Sequence, residues 1–115
     1  MTQIRLRLVF GPHAMLGPGK AELLAQIAVT GSIAAAGRAM GMSYKRAWSL
    51  VEEMNQAFTA PLVARNRGGA SGGGASLTAT GQTVLTHYRA LTARLQSEGA
   101  ADIAALTALL AHPPT

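Results

Sequence analysis

The chain has no cysteine. That single absence removes a disulfide framework, a thiolate zinc finger, an iron–sulfur site and a cysteine nucleophile, and it suits a reducing compartment such as the cytoplasm. Aromatic residues are scarce, at 4% of 115 positions, so a core has to be assembled from Leu, Val, Ile, Met and many small Ala. Acidic groups are few as well. Five Asp plus Glu stand against ten Lys plus Arg, a formal net charge of +5, which favours polyanionic partners such as nucleic acid or an acidic membrane surface. Long apolar runs are missing: no uncharged stretch approaches the roughly 20 residues of a spanning helix. Arg5 and Arg7 interrupt the early apolar segment where a signal peptide would lie. The expectation is a soluble, unprocessed, cytoplasmic chain with no membrane partner.

What is present is enough for one domain. At 115 residues and 49% hydrophobic content, the chain has the length of a single core and the means to bury it without staples, so it is not a wholly disordered chain. From Ile4 to Phe10 apolar residues alternate with Arg5 and Arg7, the period-two pattern of a half-buried strand. Gly11, Pro12, Gly17, Pro18 and Gly19 then break the periodicity. Pro18 suits the first turn of a helix running to about Thr30, with Leu23, Leu24, Ile27 and Ala28 on one face and Gly31 at its C-terminal cap.

Ser32 caps a second, short helix through Ile33, Ala36, Gly37 and Met40, whose small residues allow close approach by another helix. Gly41 marks a tight turn and Ser43 caps a third helix, from about Tyr44 to Phe58. Its apolar stripe is Ala47, Leu50, Val51, Met54 and Phe58, while Lys45, Arg46, Ser49, Glu52, Glu53 and Gln56 fall on the other side. Pro61 stops it. Leu62, Val63, Arg65 and Arg67 read as a brief strand leading into the glycine-rich tip from Gly68 to Ala75, and Ser76-Leu77 returns as a second strand. Thr78 caps a fourth helix carrying Val84, Leu85, Tyr88, Leu91 and Leu95 on one side. Gly99 breaks it from a last helix, about Ala101 to Ala111. The expected fold is mainly α with a small β-hairpin wing: a winged helix-turn-helix over residues 1–115, with a helical dimerisation segment at about 78–111.

In a helix-turn-helix the second helix lies in a major groove and reads base edges with its N-terminal residues. Here those are Ser43, Tyr44, Lys45, Arg46 and Ser49. The charge order agrees, since Lys45 and Arg46 stand at the leading end and Glu52 and Glu53 come later, farther from phosphates.

The stretch from Gly31-Ser32-Ile33 through Gly41-Met42-Ser43-Tyr44-Lys45-Arg46-Ala47-Trp48, then Glu53-Met54-Asn55-Gln56, Leu62-Val63, the glycine-rich tip and Leu77-Thr78 with Gly81-Gln82, resembles the N-terminal DNA-binding domain of the ModE family of molybdate-responsive transcription regulators. The spacing of Gly-Ser and Leu-Thr-x-x-Gly is shared more loosely with LysR-type winged helices. The resemblance covers most of the chain. It implies a dimeric winged helix on a two-fold symmetric operator, with the third helix in the major groove and the wing on backbone or minor groove. Full-length members continue into a molybdate- or tungstate-binding domain, for which nothing remains after Thr115 in this sequence. The expectation is therefore a DNA-binding domain without an effector domain, regulated by protein level or by a partner such as a full-length molybdate-binding relative in a heterodimer.

The DNA-binding set expected is Ser32, Ser43, Tyr44, Lys45, Arg46, Ser49, Arg65, Arg67, Gly69, Gly72 and Gly73. Lys45 and Arg46 either pair with guanine O6 and N7 or hold phosphates. Tyr44 and Trp48 are candidates for stacking, with Trp48 read as packing first because it adjoins the apolar stripe. Arg65 and Arg67 reach a narrow minor groove or its phosphates, or keep a hairpin edge charged. The glycines form no nucleotide-binding loop, because Gly19-Lys20 is followed by Ala21 and no other Gly-Lys-Ser/Thr occurs. His13, His87 and His112 with Glu22, Glu52, Glu53, Glu98 and Asp102 show no acid–base or metal-ligand spacing. No enzyme, metal or cofactor is expected. The helical stripe exceeds what one small core needs, so Leu85, Tyr88, Leu91, Leu95, Leu106 and Leu109 are expected at a homodimer interface. The competing readings are a sequence-tolerant architectural DNA binder associated with the nucleoid and a winged helix turned to protein interaction.

Overall fold

A computed structural model describes residues 2–66 and 74–112 of the chain. Within them the order is β1 (Leu8–Gly11), β2 (Ala14–Leu16), α1 (Pro18–Thr30), α2 (Ile33–Ala39), α3 (Tyr44–Ala57), β3 (Val63–Asn66), β4 (Gly74–Leu77), α4 (Ala79–Glu98) and α5 (Ala100–Ala108). The fold is a winged helix-turn-helix. Its local signals act as their chemistry dictates. Pro18 occupies the first turn of α1, and Gly31 ends that helix in the left-handed conformation at φ 71°, its N–H returning to Ile27 O. A β-carbon would oppose that conformation, which glycine adopts freely.

Helices α1, α2 and α3 pack into one cluster. Leu23, Leu24 and Ile27 of α1 are fully enclosed with Met54 of α3 and Leu62 beyond it, and Ile33, Ala36, Ala47, Leu50 and Val51 complete the contact. Each large side chain enclosed this way contributes about 1.5–3 kcal/mol as an upper bound. The antiparallel pair β3–β4 aligns Val63 with Leu77 and Arg65 with Ala75. Ala75 N donates to Gly31 O at 2.8 Å, so the returning strand is tied to the end of α1.

Four details differ from the sequence expectations. The strand expected over Ile4–Phe10 is paired only from Leu8, with β2 as its partner in the register Leu8 to Leu16 and Val9 to Met15. Before Leu8 the chain runs without a ladder and Tyr88 Oη donates to Leu6 O at 2.6 Å; the alternation there reflects Ile4 and Leu6 half-buried between exposed arginines. The glycine- and proline-rich stretch thus contains a second hairpin. The wing's return strand begins at Gly74 rather than Ser76, and the last helix spans Ala100–Ala108 rather than Ala101–Ala111.

The second half of α4 and all of α5 leave the main body. The Cα radius of gyration is 16.7 Å and the longest extent 54 Å, against about 13 Å for the radius of a compact domain of this length. Leu85 and Tyr88 are buried in the domain's own core, whereas Leu91, Leu95, Leu106 and Leu109 are exposed, the last at 82%. Of the six side chains expected at a dimer face, these four stand out from the single chain and the other two do not. Leu85 and Tyr88 complete the core beside α1 and also form the floor of a surface depression flanked by Ile4, Arg89 and Thr92.

Candidate nucleic-acid interface

The helix-turn-helix is built by two serine caps and a glycine turn. Ser32 Oγ accepts from Ala35 N at 3.1 Å, starting α2, and Ser43 Oγ accepts from Arg46 N at 3.1 Å, starting α3. Between them Gly41 takes φ 71° and Met42 N donates to Gly37 O at 2.9 Å. Because Ala47, Leu50, Val51 and Met54 bury one face of α3, the helical period turns Tyr44, Lys45, Arg46, Trp48 and Ser49 outward, and all five are exposed. Ser43 is exposed and Ser32 half-buried, each with its side chain engaged as a cap.

The wing is anchored to this helix by a side chain the sequence reading did not single out. Asn55 Oδ1 accepts from Leu62 N at 2.8 Å and Val63 N at 3.1 Å, and its Nδ2 donates to Val63 O at 3.2 Å. One amide near the end of α3 therefore satisfies three backbone groups at the root of β3 that burial removes from water. The only sequence signal was its place in Glu53-Met54-Asn55-Gln56. On the other side of the root, Thr78 N donates to Leu62 O at 2.9 Å, Thr78 Oγ1 donates to Pro61 O at 2.6 Å and accepts from Gly81 N at 3.0 Å. Gly81 is buried against Leu62.

Arg65 projects from β3, and its Nη2 donates to Tyr44 Oη at 3.2 Å, joining wing and α3 at the surface. Tyr44, Lys45, Trp48 and Arg65 line a shallow depression of about 380 Å³. Trp48 lines this surface feature and is 37% exposed, so it is covered over most of its surface and presents the rest to the depression. It follows Ala47 in sequence but stands about 100° further round the helix. Arg67, Gly69, Gly72 and Gly73, also expected at DNA, lie outside the described residues.

Electrostatics separate the two sides of α3. Among the described residues the ion pairs are Lys20 with Glu53 at 3.2 Å and Arg94 with Glu98 at 3.9 Å. Lys45, Arg46 and Arg65 therefore have no carboxylate within ion-pair reach among the described residues. Lys20, read only as a failed nucleotide-binding lysine, is 7% exposed and also donates to Met15 O at 3.3 Å. It ties α1 to α3 and β2, and the acid it holds is one of the two that follow the basic start of α3. Among the described residues no group of three or more His, Asp or Glu could hold a metal ion. No helix among them is long and apolar enough to cross a membrane.

The model of the bacterial regulatory helix-turn-helix proteins of the lysR family matches residues 19–82, from the first turn of α1 into the first turn of α4. The chain is 46% identical over 80 residues to the molybdenum-pterin-binding protein MopB of Rhodobacter capsulatus, which covers 70% of this chain and 30% of that protein. It is 40% identical over 87 residues to the DNA-binding transcriptional dual regulator ModE of Escherichia coli K12, covering 76% of this chain and 33% of the relative. With the transcriptional regulator ModE of Haemophilus influenzae the identity is 37% over 87 residues, 76% of this chain and 34% of the relative. The chain spans about a third of the length of these curated relatives.

Proposed function

The chain belongs to the lysR family of bacterial regulatory helix-turn-helix proteins, and from that premise we propose that it is a transcription regulator that binds double-stranded DNA as a two-fold dimer. The observation that carries this reading is the exposed start of α3, where Lys45 and Arg46 have no ion-pair partner among the described residues and Lys45 shares a surface depression with Arg65 of the wing. A helix held in that way enters a major groove with its cations toward the phosphates and its short side chains toward base edges. Ser43, Tyr44, Lys45, Arg46 and Ser49 face the groove, Ser32 stands at the start of α2, and Arg65 with Arg67, Gly69, Gly72 and Gly73 follows the flanking backbone. The reading contains no catalytic step.

Dimerisation is supported by the projecting arm. Leu91 and Leu95 on α4, Leu106 on α5 and Leu109 just past its end are large exposed apolar side chains on the arm that leaves the main body, and a second copy would remove them from water at about 25 cal/mol per Å². Two recognition helices would then stand about 34 Å apart, one DNA turn. The same arm would serve a heterodimer with a longer molybdate-binding relative. Such a regulator acts on the nucleoid in the cytoplasm.

The test is selection of bound fragments from sheared genomic DNA by the purified protein at near-physiological salt, followed by sequencing. An enriched inverted repeat supports the reading. Equal retention of selected and random duplexes at matched salt replaces it with a sequence-tolerant architectural role, favoured by the net charge of +5. Negligible DNA affinity even at low salt overturns both and leaves a protein-binding winged helix.

A further inference from the structure

The chain has five aromatic residues, and two of them are spent on the surface of α3. Phe10 and Phe58 stack edge to face at 6.1 Å, and Tyr88 is buried with its hydroxyl bonded to Leu6 O. Tyr44 and Trp48 instead remain 49% and 37% exposed. They are four residues apart, so their side chains are neighbours one above the other on the helix surface. Together they line the depression of about 380 Å³, with Lys45 and Arg65 completing its wall. The Arg65 bond to Tyr44 Oη at 3.2 Å puts a cation beside the tyrosine ring.

We propose that this depression is a specificity element that takes the 5-methyl group of a thymine in the major groove, a proposal that rests on the DNA-binding reading above. The major groove is polar along most of its length, and the thymine methyl is the apolar group that distinguishes an A·T pair there. An aromatic surface on the first turns of the recognition helix offers that methyl a place out of water, while the flanking cations match the phosphates on either side. The occupant is fixed by this combination. A base in an intact duplex keeps its faces stacked on its neighbours and presents only its edge in the groove, so the group that meets this surface is the methyl on that edge. Cytosine lacks the methyl and is discriminated against. Cytosine carrying a 5-methyl group presents the same contact.

The experiment uses the whole chain and duplexes selected from a randomised library. Each thymine of the selected sequence is replaced in turn by uracil, which removes the methyl and nothing else, and affinity is measured at fixed salt. The expected result is a loss of about fourfold for uracil at one position of a half-site, and about fifteenfold when both half-sites carry it. Trp48→Ala and Tyr44→Ala are each expected to bind the thymine duplex more weakly and to abolish its advantage over uracil, with the thermal midpoint recorded to show that each variant is folded. A selected sequence indifferent to uracil at every position overturns the proposal alone. So does a uracil effect that persists unchanged in both variants. Failure to enrich any sequence overturns the regulator reading and the proposal with it.

Discussion

Gly81→Ala sets two opposed effects against each other at one atom. In a helix interior alanine is favoured over glycine by about 1 kcal/mol, and Gly81, in the first turn of α4, has no positive φ to protect. Propensity alone therefore forecasts a more stable protein. Packing forecasts the reverse, because a β-carbon at Gly81 would lie 3.0 Å from Leu62 C, 3.3 Å from its Cα and closer still to its carbonyl oxygen. These are backbone atoms, so no rotamer change relieves the contact. Leu62 is fully buried, its N–H is held by Asn55 Oδ1 at 2.8 Å, and its carbonyl accepts from Thr78 N at 2.9 Å. Overpacking of this kind costs about 1–3 kcal/mol, and displacing one of the two bonds adds about 1 kcal/mol. Set against the propensity gain, the expected net effect is a loss of about 1–3 kcal/mol, or a midpoint about 5–15 °C lower in a domain of roughly this size. Urea and thermal denaturation followed by circular dichroism measure it, at one protein concentration because association would contribute. Gly19→Ala is the companion variant. It lies in α1 with nothing within 4 Å of an added β-carbon, so propensity acts alone and its stability is expected to rise by about 0.5–1 kcal/mol over the parent. Equal midpoints for the two variants, or a Gly81→Ala protein as stable as the parent, would refute the packing argument and show that the wing root shifts freely.

Asn55→Ala leaves two backbone N–H groups and one carbonyl at the root of β3 without a partner, and is expected to cost about 2–4 kcal/mol in denaturant titration; an unchanged midpoint would mean that water replaces the amide. Arg46→Ala is expected to leave stability within about 0.5 kcal/mol of the parent and to weaken DNA binding. If Arg46 reads a base, the loss is about 1–3 kcal/mol at one position of the operator; equal loss on all sequences assigns it to phosphate. Ser43→Ala removes the α3 cap and is expected to lower stability by about 1 kcal/mol, unlike Arg46→Ala. Leu106→Ser combined with Leu109→Ser is expected to convert a dimer to a monomer in sedimentation while the helical content is kept, since neither side chain enters the core. An unchanged mass would place any interface elsewhere.

The parts of the fold legible in the sequence are those fixed by local chemistry. Pro18, Gly31, Ser32, Gly41 and Ser43 each act within a turn of themselves, and α1, α2 and α3 begin where those residues indicate. What escaped depends on distant partners. β2 is three residues, Ala-Met-Leu, with no alternation of its own, and it is a strand because Leu8 and Val9 lie opposite. Asn55 looks like any polar residue late in a helix until Leu62 and Val63 fold back onto it. The stripe on α4 shows a related limit: its spacing indicates which face is apolar, but not how far the body beneath it extends. Leu85 and Tyr88 therefore fall inside and Leu91 and Leu95 outside. At the site, the basic start of α3 was legible from charge order, whereas the meeting of Tyr44 with Arg65, 21 residues apart, was not.

These long-range contacts divide the labour at the interface. The root of the wing is placed from inside the domain, by Asn55 on β3, by Gly31 on β4 and by the Thr78–Gly81 turn against Leu62. Each tie uses backbone groups or a part-buried side chain, where an unmade hydrogen bond costs about 1–3 kcal/mol. The contact of Arg65 with Tyr44 is different in kind. It is exposed, so water competes for it, and a phosphate oxygen offers the guanidinium a stronger, charge-assisted bond. Placement and recognition therefore rest on different residues. On the proposed reading, changes at Asn55 or Gly81 are expected to disturb DNA binding by moving the wing and to be visible first as lost stability. On the same reading, changes at Lys45, Arg46 or Arg65 are expected to weaken DNA binding on a scaffold that stays folded, and it is this separation between stability and affinity, measured on the same variants, that distinguishes a preformed interface from one assembled on DNA.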